Sequence, residues 1–232
     1  MEAFSLNALE VESLRLSLWV SGWAVVGSLP VGIGVAWVLA RLRFPGRVLL
    51  DGLVHLPLVL PPVVTGYTLL VLMGKNGPLG SLLQKTIGLS FSFNWKGAAL
   101  ASAIMAFPLL VRAVRLSIET VDQGLEAAAR TLGARPLRVF FTVTLPLIMP
   151  GVLAGVILCF ARSLSEFGAT ITFVSNIPGQ TRTLPLALYT LTQVPGGEAG
   201  ALRLCIISVL LALVALLASE LLARRLDHRL KG

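Results

Sequence analysis

One short stretch of the sequence carries residue types that could bind an anion. Arg162, Ser163 and Ser165 offer a cation and two hydroxyl donors, and oxyanions are bound by charge-assisted hydrogen bonds from such groups. Glu166 lies four residues after Arg162, so a helix would also allow a local salt bridge between these two side chains. Two interpretations therefore stay open: an anion-binding group at the mouth of a passage, or an ion pair at a membrane boundary.

No pattern in the sequence is typical of a catalytic centre. A phosphate-binding loop needs Gly-x-x-x-x-Gly-Lys-Ser/Thr, and no lysine lies in such a context, the four being Lys75, Lys85, Lys96 and Lys231. Zinc-ligand spacing and a nucleophile elbow are also missing from the sequence. We therefore predict a protein that is not an enzyme and has no cofactor or metal of its own. If ATP drives it, another polypeptide must hydrolyse the ATP.

The composition indicates that these residues belong to a membrane protein. Hydrophobic residues make up 56% of the 232 residues and charged residues 13%, and the mean hydropathy is +0.87. Soluble domains carry about 25% charged residues, so an ordinary soluble domain is excluded. A spanning helix needs about 20 mostly apolar residues. We predict an all-α polytopic protein with a single domain, residues 1–232, and five spans at about 14–40, 48–73, 97–118, 139–161 and 201–223.

The segment between the last two spans, residues 168–193, is only moderately apolar and is broken by Pro178, Gly179, Arg182 and Pro185. We interpret it as an extracytoplasmic loop, and the sequence leaves open whether it enters the membrane.

The distribution of cations predicts the orientation of the chain. With five spans, one side receives twelve of the 19 basic residues, namely Arg41, Arg43, Arg47, Arg112, Arg115, Arg130, Arg135, Arg138, Arg224, Arg225, Arg229 and Lys231. The other side receives seven, together with an acidic N-terminus. Because cytoplasmic loops carry an excess of Lys and Arg, we predict that the N-terminus is outside and the C-terminus is in the cytoplasm.

Few charged residues lie within the parts of the predicted spans that would cross the hydrocarbon core. Asp51 follows Arg47 by four residues, so we expect these two side chains to pair on one helix face near the membrane boundary. Carriers that are coupled to protons or ions usually need intramembrane carboxylates. Their scarcity here counts against a carrier that is coupled to protons or ions.

The second predicted span is rich in residues that interrupt a helix. Each proline removes a backbone donor, and a carbonyl freed in this way has no partner in lipid. A broken helix that lines a passage would satisfy this requirement, and a static kink packed against other helices is the alternative. The passage candidates in this span are Pro57, Pro61, Pro62, Thr65, Gly66 and Tyr67.

Residues 119–138 are highly charged yet keep a helical spacing of apolar residues around Leu125 and Leu132. We predict a short amphipathic helix over about 120–133, with Thr120 or Asp122 at its start and Gly133 as its C-terminal cap. Acidic residues in this segment would meet anionic lipid unfavourably. Docking into a groove of another protein is therefore the better interpretation.

The same segment resembles a known motif. Ala127-Ala128-Ala129-Arg130-Thr131-Leu132-Gly133, then nine residues, then Val143-Thr144-Leu145-Pro146 is similar to the E-A-A-x-x-x-G-x9-I-x-L-P loop of binding-protein-dependent ABC importer permeases. The resemblance implies a coupling helix that sits in a cleft of an ATPase subunit. The implied coupling residues are Glu126, Ala127, Ala128, Ala129, Gly133, Leu145 and Pro146.

This sequence departs from the motif at two positions. Val143 replaces Ile, and Ala127 stands where the motif has Glu, with Glu126 one residue earlier. A shift of one residue turns a helical side chain by about 100°. Glu126 is therefore not expected to reproduce the family's contact.

Further stretches resemble the molybdate permeases within this family. They lie at 44–46, 56–62, 130–133 together with 140–146, and 166–179, and the resemblance covers about 14–223. It implies a permease that moves molybdate into the cytoplasm across a bacterial inner membrane. The implied assembly is a homodimer with two copies of an ABC ATPase subunit and a periplasmic or lipid-anchored oxyanion-binding protein. A permease of the same class for sulfate or tungstate is the alternative, followed by an oxyanion carrier that needs no ATP.

Overall fold

The computed structural model describes residues 7–231, and it describes their side chains except those of 219, 220 and 222–231. Four of the twelve cations counted above, Arg224, Arg225, Arg229 and Lys231, therefore lie outside the described side chains. The elements are α1 (Ala8–Arg41), α2 (Arg47–Val59), α3 (Pro62–Met73), α4 (Pro78–Ile87), α5 (Trp95–Thr120), α6 (Gln123–Thr131), α7 (Pro136–Val139), a π-helical segment (Phe140–Thr144), α8 (Leu145–Leu164), α9 (Gly168–Val174), α10 (Leu184–Thr192) and α11 (Glu198–Lys231). The predicted all-α class is confirmed.

Four stretches of the described chain are long and apolar enough to cross a membrane. They are α1, α5, the continuous run Pro136–Leu164, and α11 as far as Ala218. The predicted second span instead forms the pair α2 and α3, which are bent by 115°. A fifth crossing exists if this pair counts as one broken span.

The bend between α2 and α3 follows from three prolines. Pro57 lies inside α2, Pro61 is the N-cap of α3, and Pro62 is its first residue. A residue before proline is forced away from the helical region, and Leu60 accordingly has φ −71° and ψ 141°. Pro62 suits a first helical position because its missing N–H would be unpaired there in any case. The chain therefore stops one helix and starts another within two residues.

The core lies between α1, α5 and α8, with a second cluster where α3 and α9 meet α1 and α5. Small residues bring these helices close together. A Cβ on Gly155 of α8 would lie 3.0 Å from Leu110 Cδ1 of α5, for example. α1 and α5 run in the same direction, since the rings of Trp19 and Trp95 meet edge to face in the N-terminal halves of the two helices and Arg41 reaches Val121 at their C-terminal ends.

Residues 168–193 are more ordered than a loop. They form α9 and α10, and Phe173, Leu186 and Ala187 are fully buried. The backbone N–H of Leu184 donates to Ser17 Oγ of α1 at 2.6 Å. At the same end of the bundle, Arg203 of α11 forms a two-pronged ion pair with Glu10 of α1, with Nη2 to Oε1 at 2.8 Å.

Candidate functional site

The candidate coupling helix is defined by local caps at both ends. Asp122 accepts a hydrogen bond from the backbone N–H of Gly124 at 2.8 Å and so caps the start of α6. Gly133 has φ +82°, a left-handed conformation that a side chain disfavours and that ends many helices. Of the two starts that the sequence left open, Asp122 is the cap, whereas Thr120 is the last residue of α5. Gly133 follows the C-cap residue Leu132, the position where glycine is strongly preferred.

Glu126 faces the rest of the chain and is 12% exposed. Its Oε1 accepts a hydrogen bond from Arg41 Nη2 at 3.1 Å and another from Thr144 Oγ1 at 2.8 Å. Arg41 is the last residue of α1, and Thr144 is the last residue of the π-helical segment. The sequence pattern did not indicate either contact, since Arg41 lies 85 residues away in the chain.

The outer surface of this region is apolar and cationic. Leu125, Leu132 and Leu137 are 50%, 88% and 75% exposed. Arg130, Arg135 and Arg138 lie exposed beside them, as do Ala127 and Ala128, whereas Ala129 is half-buried. Large leucines exposed next to arginines are typical of a surface that contacts another protein or a membrane. Leu137 is an addition to the residues that the sequence motif indicated.

The π-helical segment joins the coupling region to α8. Leu145 and Pro146 are the first two residues of α8, where Leu145 is half-buried against the main core and Pro146 is exposed. Since π-helical turns inside helices are often found at functional sites, this transition is a second reason to regard the region as functional.

The passage candidates of the second span do not gather in one place within a single chain. Gly66 packs against α9, where an added Cβ would lie 2.6 Å from the Ala169 carbonyl oxygen. Thr65 is buried beside it, and its hydroxyl has no hydrogen-bond partner among the described residues. Tyr67 is 61% exposed on the opposite side of α3, while Pro61 and Pro62 are exposed at the bend.

Pro57 lines a groove of about 700 Å³ between α1, α2 and α5. Its walls are almost entirely apolar, with Trp23, Val54 and Phe107 among them and Lys96 as the cation at one rim. Such a surface offers few donors to an oxyanion. The groove therefore gives no support to a passage through this part of the chain.

The anion-binding candidates at the end of α8 are held by their own neighbours. Arg162 Nη1 lies 2.8 Å from Glu166 Oε2, and the other carboxylate oxygen of Glu166 accepts from the backbone N–H of Ala169 at 2.8 Å. Ser165 Oγ donates to the Arg162 carbonyl at 3.0 Å. Ser163 is buried without a partner among the described residues. Of the two interpretations left open by the sequence, this geometry matches the ion pair.

The predicted local pair between Arg47 and Asp51 is wrong. Asp51 Oδ1 instead lies 3.1 Å from Arg115 Nη1 of α5 and 3.2 Å from His55 Nδ1. A partner on a neighbouring helix competes with one on the same helix, and sequence spacing shows only the second kind. No group of three or more His, Cys, Asp or Glu side chains in the described chain could hold a metal ion.

Apolar spanning helices, a broken helix pair and an exposed helix at one end define a membrane-embedded transport subunit. The chain belongs to the family of binding-protein-dependent transport system inner membrane components, whose profile matches residues 28–228. The predicted family is thereby confirmed.

The chain is similar to individual proteins to different degrees. The chain is 63% identical over 215 residues to the molybdenum transport system permease protein ModB of Escherichia coli strain K12, covering 93% of this chain and 94% of the relative. It is 39% identical to the sulfate transport system permease protein CysT of the same strain, covering 97% and 81%. In fold it is similar to a bacterial alginate ABC transporter solved in complex with an alginate pentasaccharide-bound periplasmic protein. That match has a TM-score of 0.71 and 18% identity and covers 94% of this chain and 80% of the other.

Proposed function

We propose that this chain is the membrane-spanning permease subunit of an ATP-driven importer that moves molybdate into the cytoplasm. The observation that carries the proposal is the 63% identity to a molybdenum permease over nearly the whole length of both chains. The sulfate permease is markedly less similar, at 39%, so molybdate is favoured over sulfate as the substrate.

The partners follow from the exposed end of the molecule. Leu125, Leu132 and Leu137 expose apolar surface beside arginines, which suits a groove in an ATPase subunit of complementary charge. The assembly would contain two copies of the permease, two ATPase subunits and a periplasmic or lipid-anchored oxyanion-binding protein. The relative of similar fold, which was solved with a periplasmic protein, supports such an arrangement.

The proposed orientation places α6 in the cytoplasm and the Glu10 end outside. It rests on the excess of cations at the α6 end, where Arg130, Arg135 and Arg138 are exposed. Substrate released by the binding protein would then enter near α9 and α10 and leave near α6.

Coupling in this proposal is mechanical. ATP binding would close the ATPase subunits, and α6 would follow them and carry the spans between outward and inward openings. The passage itself needs little affinity for molybdate, because the binding protein supplies selectivity and tight binding inside would slow release. The ion pair of Arg162 with Glu166, which leaves no unpaired guanidinium at this point, agrees with such a weakly binding passage.

Reconstitution tests the proposal. The chain, its ATPase subunit and the binding protein are placed in proteoliposomes, and uptake of labelled molybdate is measured with ATP, with a non-hydrolysable analogue and without the ATPase. We expect uptake only with hydrolysable ATP and the complete complex. Uptake without the ATPase would favour a carrier that needs no ATP. Equal transport of labelled sulfate would instead favour the sulfate alternative, and competition by tungstate would measure how narrowly the oxyanion is selected.

A further inference from the structure

Three separate elements meet at one carboxylate oxygen at the α6 end of the bundle. Glu126 Oε1 accepts hydrogen bonds from Arg41 at 3.1 Å and from Thr144 at 2.8 Å. Arg41 Nη2 also donates to the backbone carbonyl of Val121 at 3.4 Å, just before α6 begins. One acidic side chain therefore connects α6 with the end of α1 and with the residue that leads into α8.

These contacts are shielded from water. The side chains of Arg41 and Glu126 are 10% and 12% exposed, and Thr144 is 2% exposed. Charge pairs in such surroundings are screened much less by salt than surface pairs, and removal of one member leaves the other buried without compensation. This pair is thus sensitive to loss of either partner, unlike an ion pair on the surface.

We propose that Arg41, Glu126 and Thr144 form an internal tether that makes α6, α1 and α8 move as one unit. Glu126 is then a positioning residue that holds the coupling helix on its own subunit, and it makes no contact with the ATPase. The exposed leucines and arginines of the α6 region remain available for the partner. The inference rests on the proposed function only in taking α6 as the element that the ATPase moves.

The weak packing of α6 explains why a tether is useful. α6 has nine residues and no buried side chain of its own, so little hydrophobic packing resists its rotation. The two hydrogen bonds to Glu126 Oε1 restrict that rotation, because one donor lies on α1 and the other on the π-helical segment. A displacement of α6 is then transmitted to the end of α1 and the start of α8 and is not lost in the loops.

A double-mutant cycle in the reconstituted complex tests the tether. Arg41→Gln, Glu126→Gln and the double variant are compared by the amount of molybdate taken up per ATP hydrolysed. We expect each single variant to lower this ratio about tenfold, and the double variant to lower it no further, because the two residues act as one pair. ATPase association should stay within about twofold of the wild type in all three. Asp51→Asn is the matched control, since it breaks an ion pair of the same length to Arg115 without touching α6, and its ratio should be unchanged.

Two results would overturn the inference. Loss of ATPase association in Glu126→Gln but not in Arg41→Gln would assign Glu126 to the partner interface. If the reductions in the ratio seen in the two single variants multiply in the double variant, the two residues act independently. If a charge variant fails to reach the membrane, Thr144→Val provides the second test, with an expected reduction in the ratio of about threefold.

A second measurement does not depend on transport. Hydrogen exchange of the amides at 123–131 should become faster in Arg41→Gln and in Glu126→Gln, and stay unchanged in Asp51→Asn. Unchanged exchange in the first two variants would contradict the tether. If the wild-type complex takes up no molybdate with ATP, the proposed function fails, while this exchange experiment still decides whether the tether exists.

Discussion

The hydroxyl of Thr65 on α3 is buried and has no hydrogen-bond partner among the described residues. Removing an unpaired buried hydroxyl costs no hydrogen bond, so Thr65→Val should leave the thermal stability of the complex the same or slightly higher. If this hydroxyl meets the oxyanion in another conformation of the transporter, uptake of molybdate should fall severalfold. Uptake in proteoliposomes and a thermal melt of the same sample check the two effects separately.

Thr170→Val is the matched control for Thr65. Its hydroxyl is also buried and unpaired within the described chain, but Thr170 lies outside the second span, which holds the passage candidates around Thr65. Uptake should stay near the wild-type rate in this variant. Equal losses in both variants would indicate a general effect of lost polarity and would remove Thr65 from the passage.

Gly66 illustrates a different role for a residue that the sequence placed in the passage. An added Cβ would lie 2.6 Å from the Ala169 carbonyl oxygen and 2.9 Å from Thr172 Cβ, so Gly66→Ala should force α3 and α9 apart. We expect a loss of about 1–3 kcal/mol in the free energy of unfolding, typical of overpacking, seen as a lower melting temperature.

Gly52→Ala in α2 should have the opposite effect to Gly66→Ala. Nothing lies within 4 Å of its added Cβ, and alanine favours a helix over glycine by about 1 kcal/mol. An unchanged melting temperature in Gly66→Ala would contradict the close packing of α3 on α9. A lower melting temperature in Gly52→Ala would contradict the open space around Gly52.

At the scale of elements, the end of α6 depends on a backbone conformation and not on packing. Gly133 has φ +82° and open space around it, so a substitution acts only through strain. Gly133→Val should reorient the chain after α6 at a cost of about 1–2 kcal/mol and lower uptake per ATP hydrolysed. Gly133→Asn, whose side chain tolerates this conformation, should keep most of the coupling. Similar losses in both variants would mean that a side chain at this position meets the partner directly.

The sequence predicted the type of most elements because their signals are local. Pro57, Pro61 and Pro62 indicated the break in the second span, and Asp122 and Gly133 indicated the ends of α6. The order within residues 168–193 could not be predicted, because α9 and α10 are stabilised by distant contacts such as that of Leu184 with Ser17. The 115° angle of the break could not be predicted either. Prolines indicate where a helix ends, but they do not fix the direction of the next helix.

The sequence could predict only the part of the candidate site that lies in one continuous stretch of the chain. The motif located α6, yet the partners of Glu126 come from α1 and from the start of α8, and no spacing rule connects residues so far apart. Asp51 shows the same limit. Arg47 lies four residues before it in the sequence, but in the structure Asp51 pairs with Arg115 of α5.

At the scale of the whole molecule, the orientation in the membrane can be measured at two exposed positions. Leu132 lies at the α6 end and is 88% exposed, and Val194 lies at the opposite end and is 51% exposed. In a background without Cys159 and Cys205, Leu132→Cys should react with an impermeant thiol reagent only from the cytoplasmic side. Val194→Cys should react only from outside, because the proposed orientation keeps the cations at the α6 end in the cytoplasm. Reaction of both variants from the same side would contradict the five-span topology.

The last helix has a consequence for the order in which the protein assembles. Only 6% of the apolar window of α11 is buried, and among the described side chains the two larger core clusters use none beyond Val174. Because synthesis releases the N-terminal part first, those clusters can pack before α11 leaves the ribosome, and the ion pair of Arg203 with Glu10 then closes the bundle from first helix to last. A chain that stops at residue 197 should accordingly enter the membrane. It should yield the same protease-resistant fragment as the full-length chain, containing the two clusters up to Val174. Complete digestion of that fragment would instead make α11 a participant in nucleation.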